Sequence, residues 1–157
     1  MSRDIKFRAW DDEDKKMVDV HAIDWLGGDG NLRPTSINYP QGKLYDAPDD
    51  FGGAIKLMQY TGLKDKNGVD IYEGDIIAVK FNNPYIQRIY WKGPPDAICE
   101  VYWDYSGFHL KAKGEKDFRY SSFEDLLHES TFSDMLMMSN SNSEVIGNIY
   151  ETPELLK

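Results

Sequence analysis

The sequence predicts a mainly β fold, in which an N-terminal β-hairpin precedes an SH3-like bent β-barrel with a short helical insertion near the C-terminus. Three observations lead to this prediction. Short segments of strand character recur along the 157-residue chain and are separated by turn sequences. Aromatic residues make up 13% of the chain, and they favour strands. The pair Asn67-Gly68 stands between two such segments and predicts a hairpin turn in which both residues have positive φ.

The N-terminal region predicts a hairpin and then a long loop. Ile5–Trp10 (IKFRAW) alternates apolar and basic residues, a polar turn (DDEDKK) follows, and Met17–Trp25 resumes strand character. Gly27–Gly53 is rich in Gly, Pro, Asp and Asn, so we expect a long loop or linker in which only Ser36–Tyr39 has strand character. We therefore assign residues 1–54 to an N-terminal hairpin and loop.

Residues 55–157 are predicted to form the barrel-like domain. Its expected strands before the helical insertion are Ile55–Tyr60, Val69–Tyr72, Asp75–Phe81, Ile86–Lys92, Ala97–Tyr105 and Phe108–Lys113. The apolar period then changes: Ser121 or Ser122 can cap a helix whose apolar stripe includes Phe123 and Leu126, which predicts a helical insertion at about residues 121–139. The segment SEVIGNIYE returns to strand character before the tail TPELLK.

Charge and cysteine content narrow the functional classes. There are 27 acidic and 18 basic residues, a formal net charge of −9, which disfavours non-specific nucleic-acid binding. We favour solubility as the role of this acidity. The alternative is an acidic surface that imitates nucleic acid or docks on a basic partner. Cys99 is the single cysteine, so an intramolecular disulfide and a Cys-rich metal site are excluded. The charged start and the lack of a long apolar run lead us to expect a cytoplasmic protein without membrane association.

The acidic residues Asp65, Asp70, Glu73 and Asp75 raise the question of a metal or acid–base site. No histidine lies nearby in the sequence, and the spacing fits no calcium-binding loop. Turn formation explains these acids better, since Asp side chains accept hydrogen bonds from nearby backbone N–H groups in turns. We therefore expect no catalytic residue, metal or cofactor here. The predicted structural turn residues are Asn67, Gly68, Gly74 and Asp75.

A series of aromatic and basic residues forms a candidate interaction face. Its members are Tyr85, Arg88, Tyr90, Trp91, Lys92, Tyr102, Trp103, Tyr105, Phe108 and Lys111. Aromatic and basic groups on one face of a small barrel can stack single-stranded nucleic acid. Strand alternation sends half of the rings into a core, however, and Tyr and Trp also mark protein interfaces. We favour core packing together with a protein interface and leave nucleic-acid stacking as the alternative.

Three blocks of the sequence carry a family resemblance. IKFRAWD near the N-terminus, MQYTGLKDKNGVDIYEGDII in the middle and EVIGNIYETPELL near the C-terminus resemble the YopX family of phage and prophage proteins. The blocks extend over nearly the whole chain, although residues 81–143 match no strong motif. The resemblance implies a small β-rich protein of a bacteriophage or prophage, in the bacterial host cell. The family's biochemical role is largely unassigned, so the resemblance supplies no functional residue.

These observations predict a non-enzymatic phage accessory protein that acts through protein–protein contacts. The expected partner is an unidentified phage or host protein, and homo-oligomerisation is left open. The alternative is a nucleic-acid-binding module that uses the aromatic and basic face. An enzyme is the least favoured class, because the sequence has no nucleophile–base, metal or cofactor signature.

Overall fold

A computed structural model describes residues 4–26, 33–38, 44–46, 55–80, 96–104, 107–113 and 142–157. Within these ranges the chain is almost entirely β, and one of its antiparallel sheets curls into a half-barrel. The predicted mainly β class is therefore confirmed. The chain divides into two compact units, Met1–Tyr60 and Thr61–Lys157. No helix in the described ranges is long and apolar enough to cross a membrane.

The first unit is built on a central strand with a neighbour on each side. Its strands are β1 (Phe7–Asp11), β2 (Lys16–Asp19), β3 (Ala22–Leu26), β4 (Arg33–Asn38), β5 (Leu44–Asp46) and the beginning of β6 (Ile55–Lys64). β1 pairs antiparallel with both β2 and β6, so that Ala9 lies opposite Val18 on one side and Leu57 on the other. Ala9 and Ile55 are buried at the centre of this unit's apolar cluster.

The turn between β1 and β2 is held by its own carboxylates. The buried Asp11 accepts hydrogen bonds at Oδ1 from the backbone N–H groups of Glu13 and Asp14, both at 3.0 Å. Lys15 closes the turn with φ of 52°. The Lys15 ammonium group and the Trp10 indole N–H donate to Asp12 Oδ1 and lower the pKa of that carboxyl group. The predicted first hairpin is thus present.

The region after this hairpin differs from the prediction. Met17–Trp25 is not one strand, since β2 ends at Asp19 and β3 begins at Ala22. The segment Gly27–Gly53 was expected to be a long loop with one short strand around Ser36–Tyr39. It contains β4, which overlaps that strand but begins at Arg33, and β5, which was not expected. Both join β3 in a three-stranded sheet in the order β3-β4-β5. A register shift lies beside the point where Pro34 pairs with Trp25. Such a bulge lets a strand continue past a proline, which has no N–H to donate, so the proline was a misleading loop signal.

The second unit contains the predicted strands of the middle region. Its elements are the end of β6, β7 (Asp70–Tyr72), β8 (Asp75–Lys80), β9 (Asp96–Asp104), β10 (Gly107–Ala112), β11 (Ser143–Asn148) and a C-terminal 3-10 turn (Pro153–Leu156). Four strands form an antiparallel sheet in the order β10-β9-β8-β11. The strand predicted at Ile86–Lys92 and the helical insertion predicted at about 121–139 lie outside the described residues.

One face of the four-stranded sheet supplies the core of the second unit. Its buried residues are Ile71, Ile77, Val79, Ala97, Cys99, Val101, Phe108 and Leu110, with Leu63 and Val145 packed against them. Cys99 is fully buried among apolar side chains. Burial of these branched and aromatic side chains is the main stabilising contribution to the sheet, at roughly 1.5–3 kcal/mol for each fully buried large side chain.

The C-terminal segment folds back on the end of β11. Asn148 Oδ1 accepts the N–H groups of Tyr150 (3.0 Å) and Glu151 (2.9 Å), and Thr152 donates its N–H to the Asn148 carbonyl (3.0 Å). The strand expected to run through SEVIGNIYE therefore stops at Asn148, because the Asn side chain satisfies the next N–H groups in a turn. A Cβ atom on Gly147 would lie 1.9 Å from Thr152 Oγ1, so the fold needs glycine at that position.

We predict that Gly147→Ala destabilises the protein by about 1–3 kcal/mol, because the added methyl group overlaps Thr152 and must displace the C-terminal turn. Urea unfolding followed by tryptophan fluorescence measures this change. Ile146→Ala is the matched control, since the neighbouring Ile146 side chain is partly exposed and its truncation should cost less. Equal unfolding midpoints for Gly147→Ala and the wild type would contradict the packing argument.

Candidate interaction face

An exposed tryptophan lies at the end of the β9–β10 hairpin. Trp103 on β9 is directly opposite Phe108 on β10. The two ring centroids are 4.8 Å apart and the planes meet at 77°, an edge-to-face contact. Phe108 is 6% exposed and belongs to the core cluster, whereas Trp103 is 50% exposed. The indole is therefore presented to solvent on a buried aromatic support, which restricts its movement.

The other described members of the predicted face, Tyr102 and Lys111, lie on the opposite side of this hairpin, together with His109, which was not predicted. Because side chains alternate along a strand, Tyr102, His109 and Lys111 project away from the core face that carries Trp103 and Phe108. Tyr102 and His109 are paired across the strands with ring centroids 5.7 Å apart. Lys111 is exposed and lies opposite Glu100. The structure thus brings the aromatic residues together in two pairs, one on each face.

The remaining predicted members of the face, Tyr85, Arg88, Tyr90, Trp91, Lys92 and Tyr105, lie outside the described residues.

The acids of the middle block have separate partners instead of forming one cluster. Asp70 forms an ion pair with Lys64. Asp75 is fully buried and its Oδ2 accepts the Tyr72 N–H at 2.8 Å. Among the described residues, no group of three or more His, Cys, Asp or Glu side chains could hold a metal ion. The turn interpretation of these acids agrees with their geometry.

Asp65 makes the most extensive contacts of these acids. Its Oδ1 accepts the backbone N–H groups of Asn67 (2.8 Å) and Val69 (2.9 Å), and its Oδ2 accepts the N–H of Val145 on β11 (3.1 Å). Only 6% of Asp65 is exposed. Burial raises the pKa of this carboxyl group, but the hydrogen bonds from Val69, Val145 and Asn67, together with the nearby charge of Lys66, lower the pKa by more, so the net shift is downward. We call these three hydrogen bonds the Asp65 latch.

The turn inside the latch differs from the predicted one in its backbone. Gly68 has φ of 83°, but Asn67 does not have positive φ, because Lys15 is the only non-glycine residue with positive φ in the described ranges. Gly68 N–H donates to the Asp65 carbonyl (3.0 Å) and Asp65 N–H donates to the Val69 carbonyl (2.8 Å). This pattern is that of a three-residue loop in which a type I turn precedes a left-handed glycine. The prediction of two positive φ angles was wrong.

Further contacts that the sequence analysis missed connect this turn to β11. Lys66 N–H donates to the Ser143 carbonyl at 3.0 Å, and the Lys66 ammonium group pairs with Glu144 at 2.5 Å. Gly74, with φ of 76°, donates its N–H to the Val101 carbonyl (2.7 Å) and accepts the Ile149 N–H (2.9 Å). Residues far apart in sequence thus come into contact. The only sequence signal for this contact was that the middle and the C-terminal family blocks occur in the same chain.

Comparison with known proteins finds a matching family model and a similar solved structure. The family model described as YopX protein matches residues 6–157. Among solved structures, the protein EF1440 from Enterococcus faecalis is similar, with 26% sequence identity, coverage of 99% of this chain and 100% of that chain, and a TM-score of 0.53. No curated protein matches significantly.

We predict that Asp65→Asn destabilises the protein by about 1–3 kcal/mol near neutral pH, because the amide retains one oxygen acceptor but places an N–H2 group against a backbone donor. The folded-state pKa of Asp65 is lowered, so its stabilising contribution is present above the unfolded pKa of about 3.9 and is lost as pH falls through the folded pKa. Urea unfolding of the wild type and Asp65→Asn is measured from neutral pH to about pH 3. The difference between their free energies of unfolding should decrease as the pH falls.

Asp70→Asn is the control for this measurement, since its partner Lys64 is exposed and such ion pairs contribute about 0–1 kcal/mol. Free energies of unfolding of Asp65→Asn and the wild type that differ by the same amount down to about pH 3 would contradict the stabilising role of the ionised Asp65 carboxylate.

Proposed function

The chain belongs to the YopX family, and from that premise we propose that it is a phage- or prophage-encoded accessory protein that acts through protein–protein contacts and catalyses no reaction. The observation that carries this proposal is the half-exposed Trp103, whose ring packs edge-to-face against the buried Phe108. The setting we propose is the cytoplasm of the bacterial host cell. The proposed partner is a phage or host protein or a second copy of this chain.

Trp103 has the properties of a binding anchor. Tryptophan is enriched among the interface residues that dominate binding energy, and such residues fill pockets on the partner. A side chain that is already ordered loses less conformational entropy on binding than a freely rotating one, which would cost about 0.5–1.5 kcal/mol. The edge-to-face contact with Phe108 supplies such ordering. A protein surface with an apolar pocket is therefore the partner chemistry that fits this residue best.

The charge of the chain favours a basic or neutral partner surface. The formal net charge is −9, and complementary charge speeds association and suppresses partners of like charge. An acidic protein also approaches nucleic acid against electrostatic repulsion. The partner we propose therefore presents an apolar pocket with basic groups at its rim.

The contacts made by acidic side chains in the described part of the chain support a non-enzymatic role. Asp65 and Asp75 are directed at backbone N–H groups of neighbouring turns, and Asp70 is paired with Lys64. A general acid or base has to reach a substrate proton, whereas Asp65 and Asp75 bind the chain's own backbone and Asp70 binds a lysine of the same chain. The acidic residues of the middle block therefore have a structural role in the fold.

The alternative function, a nucleic-acid-binding module, has less support. Stacking on single strands needs aromatic rings and basic groups along the same groove. Trp103 and Lys111 project from opposite faces of the β9–β10 hairpin, so these two described members cannot contact one strand together. Titration of labelled single-stranded DNA and RNA over a salt series tests this alternative, and strong, salt-sensitive binding would favour it over protein contacts.

We predict that Trp103→Ala weakens partner binding by about 2 kcal/mol, roughly thirtyfold, while the protein remains folded. Affinity capture from lysates of host cells during phage growth, with wild-type and variant baits at equal concentration, identifies bands that depend on Trp103. Val69→Ala is the matched control, because Val69 is also about half exposed (48%) but lies away from the β9–β10 hairpin.

Thermal unfolding and circular dichroism establish that both variants are folded. Partner dissociation constants and the molar mass by light scattering are then measured for each protein, so that self-association is counted as binding. Equal affinity of wild type and Trp103→Ala for every captured partner, with no change in self-association, would refute the proposed anchor.

A further inference from the structure

We propose that Asn67 is a self-modification site whose reaction rate is set by the Asp65 latch. In this reaction the Gly68 backbone nitrogen attacks the side-chain amide carbon of Asn67, a C–N bond forms, and ammonia leaves with the proton from that nitrogen. Water then adds to either carbonyl of the cyclic imide and opens it, giving aspartate or isoaspartate. No oxidant, reductant or cofactor is consumed.

The local structure leaves the reacting groups accessible. Asn67 and Gly68 are both exposed at the tip of the β6–β7 hairpin. Gly68 has no Cβ, and no atom outside its neighbours lies within 4 Å of the position that a Cβ would occupy. No side chain on Gly68 therefore hinders the approach of its nitrogen to the Asn67 side chain.

The same structure holds the nitrogen back while the latch is closed. Gly68 N–H donates to the Asp65 carbonyl at 3.0 Å, and the flanking N–H groups of Asn67 and Val69 are both held on Asp65 Oδ1. Attack requires rotation about the Cα–C and Cα–Cβ bonds of Asn67, since the peptide bond itself stays planar, and it requires loss of the Gly68 hydrogen bond. The reaction must pass through a locally opened turn, whose population depends on the free energy of the latch.

The isoaspartate product would keep the latch open. Its backbone runs through the former side chain of Asn67, which adds one methylene between the Cα atom of Asn67 and Gly68. The Asn67 and Val69 N–H groups then cannot both meet the Asp65 carboxylate in the present geometry. The third bond of the latch, from Val145 on β11, loses the turn that positions its acceptor. Modification at Asn67 is thereby coupled to the attachment of the hairpin to β11.

The experiment compares deamidation rates during incubation of the full chain in mildly alkaline buffer. Peptide mass spectrometry with fragmentation that separates isoaspartate from aspartate follows the peptide that contains Asn67. We expect Asp65→Ala to react about tenfold faster than wild type, the factor that corresponds to about 1.4 kcal/mol of easier opening. Asp12→Ala, which removes an exposed turn carboxylate of the first unit, should react at the wild-type rate, and Asn67→Ser should give no product.

A second comparison does not depend on any variant folding. Wild type in urea should deamidate at Asn67 at least about tenfold faster than folded wild type. In the folded, aged protein, hydrogen exchange at the Val145 amide should be faster in the modified fraction than in the unmodified one. Equal rates in the folded and unfolded chain, or Val145 protection unchanged by modification, would overturn the proposal.

Discussion

The carboxylate of Asp65 is the constraint on which the second unit depends. It accepts three backbone N–H groups, and one of them, from Val145, is 80 residues away in sequence. A buried carboxylate without partners would be costly, but one that receives several N–H bonds stays ionised and stabilises the groups that it binds. Asp65 therefore performs two tasks at once: it shapes the tip of the β6–β7 hairpin, and it attaches that tip to β11.

A second connection, at Gly74, completes the arrangement. The turn between β7 and β8 donates to Val101 on β9 and accepts from Ile149 after β11. Positive φ at Gly74 allows the chain to reverse between two short strands. Gly147 then permits the C-terminal segment to approach β11 closely through Thr152. The middle and C-terminal blocks that resemble the family are thus the two halves of one set of backbone contacts, which accounts for their dense patterning of turns and strands.

The described strands and turns of the second unit could be predicted from neighbouring residues in the sequence. The contacts between residues distant in sequence could not. The branched residues of β8 and the turn residues Gly68 and Gly74 indicated strands and turns directly. The partner of Asp65 could not be predicted, because a carboxylate accepts any nearby N–H group and Val145 is distant in sequence. Strand character was predicted for β3 and for part of β4, but the start of β4 and the whole of β5 were missed. Proline and glycine were interpreted there as loop signals, while a register shift beside Pro34 lets the strand continue.

Alternation along β9 and β10 explains why the candidate interaction face could be predicted only in part. Composition showed that aromatic and basic residues crowd this region, but which face each occupies depends on register, and a shift by one residue exchanges the faces. The register places Trp103 at the end of the core face, where the sheet stops covering its own apolar residues and the ring emerges beside buried Phe108. The Trp103 indole therefore adds exposed apolar surface at the end of this face. The protein–protein contact that we propose would lie there, at the end of the β9–β10 hairpin, since the polar groups around Asp65 already bond within the chain.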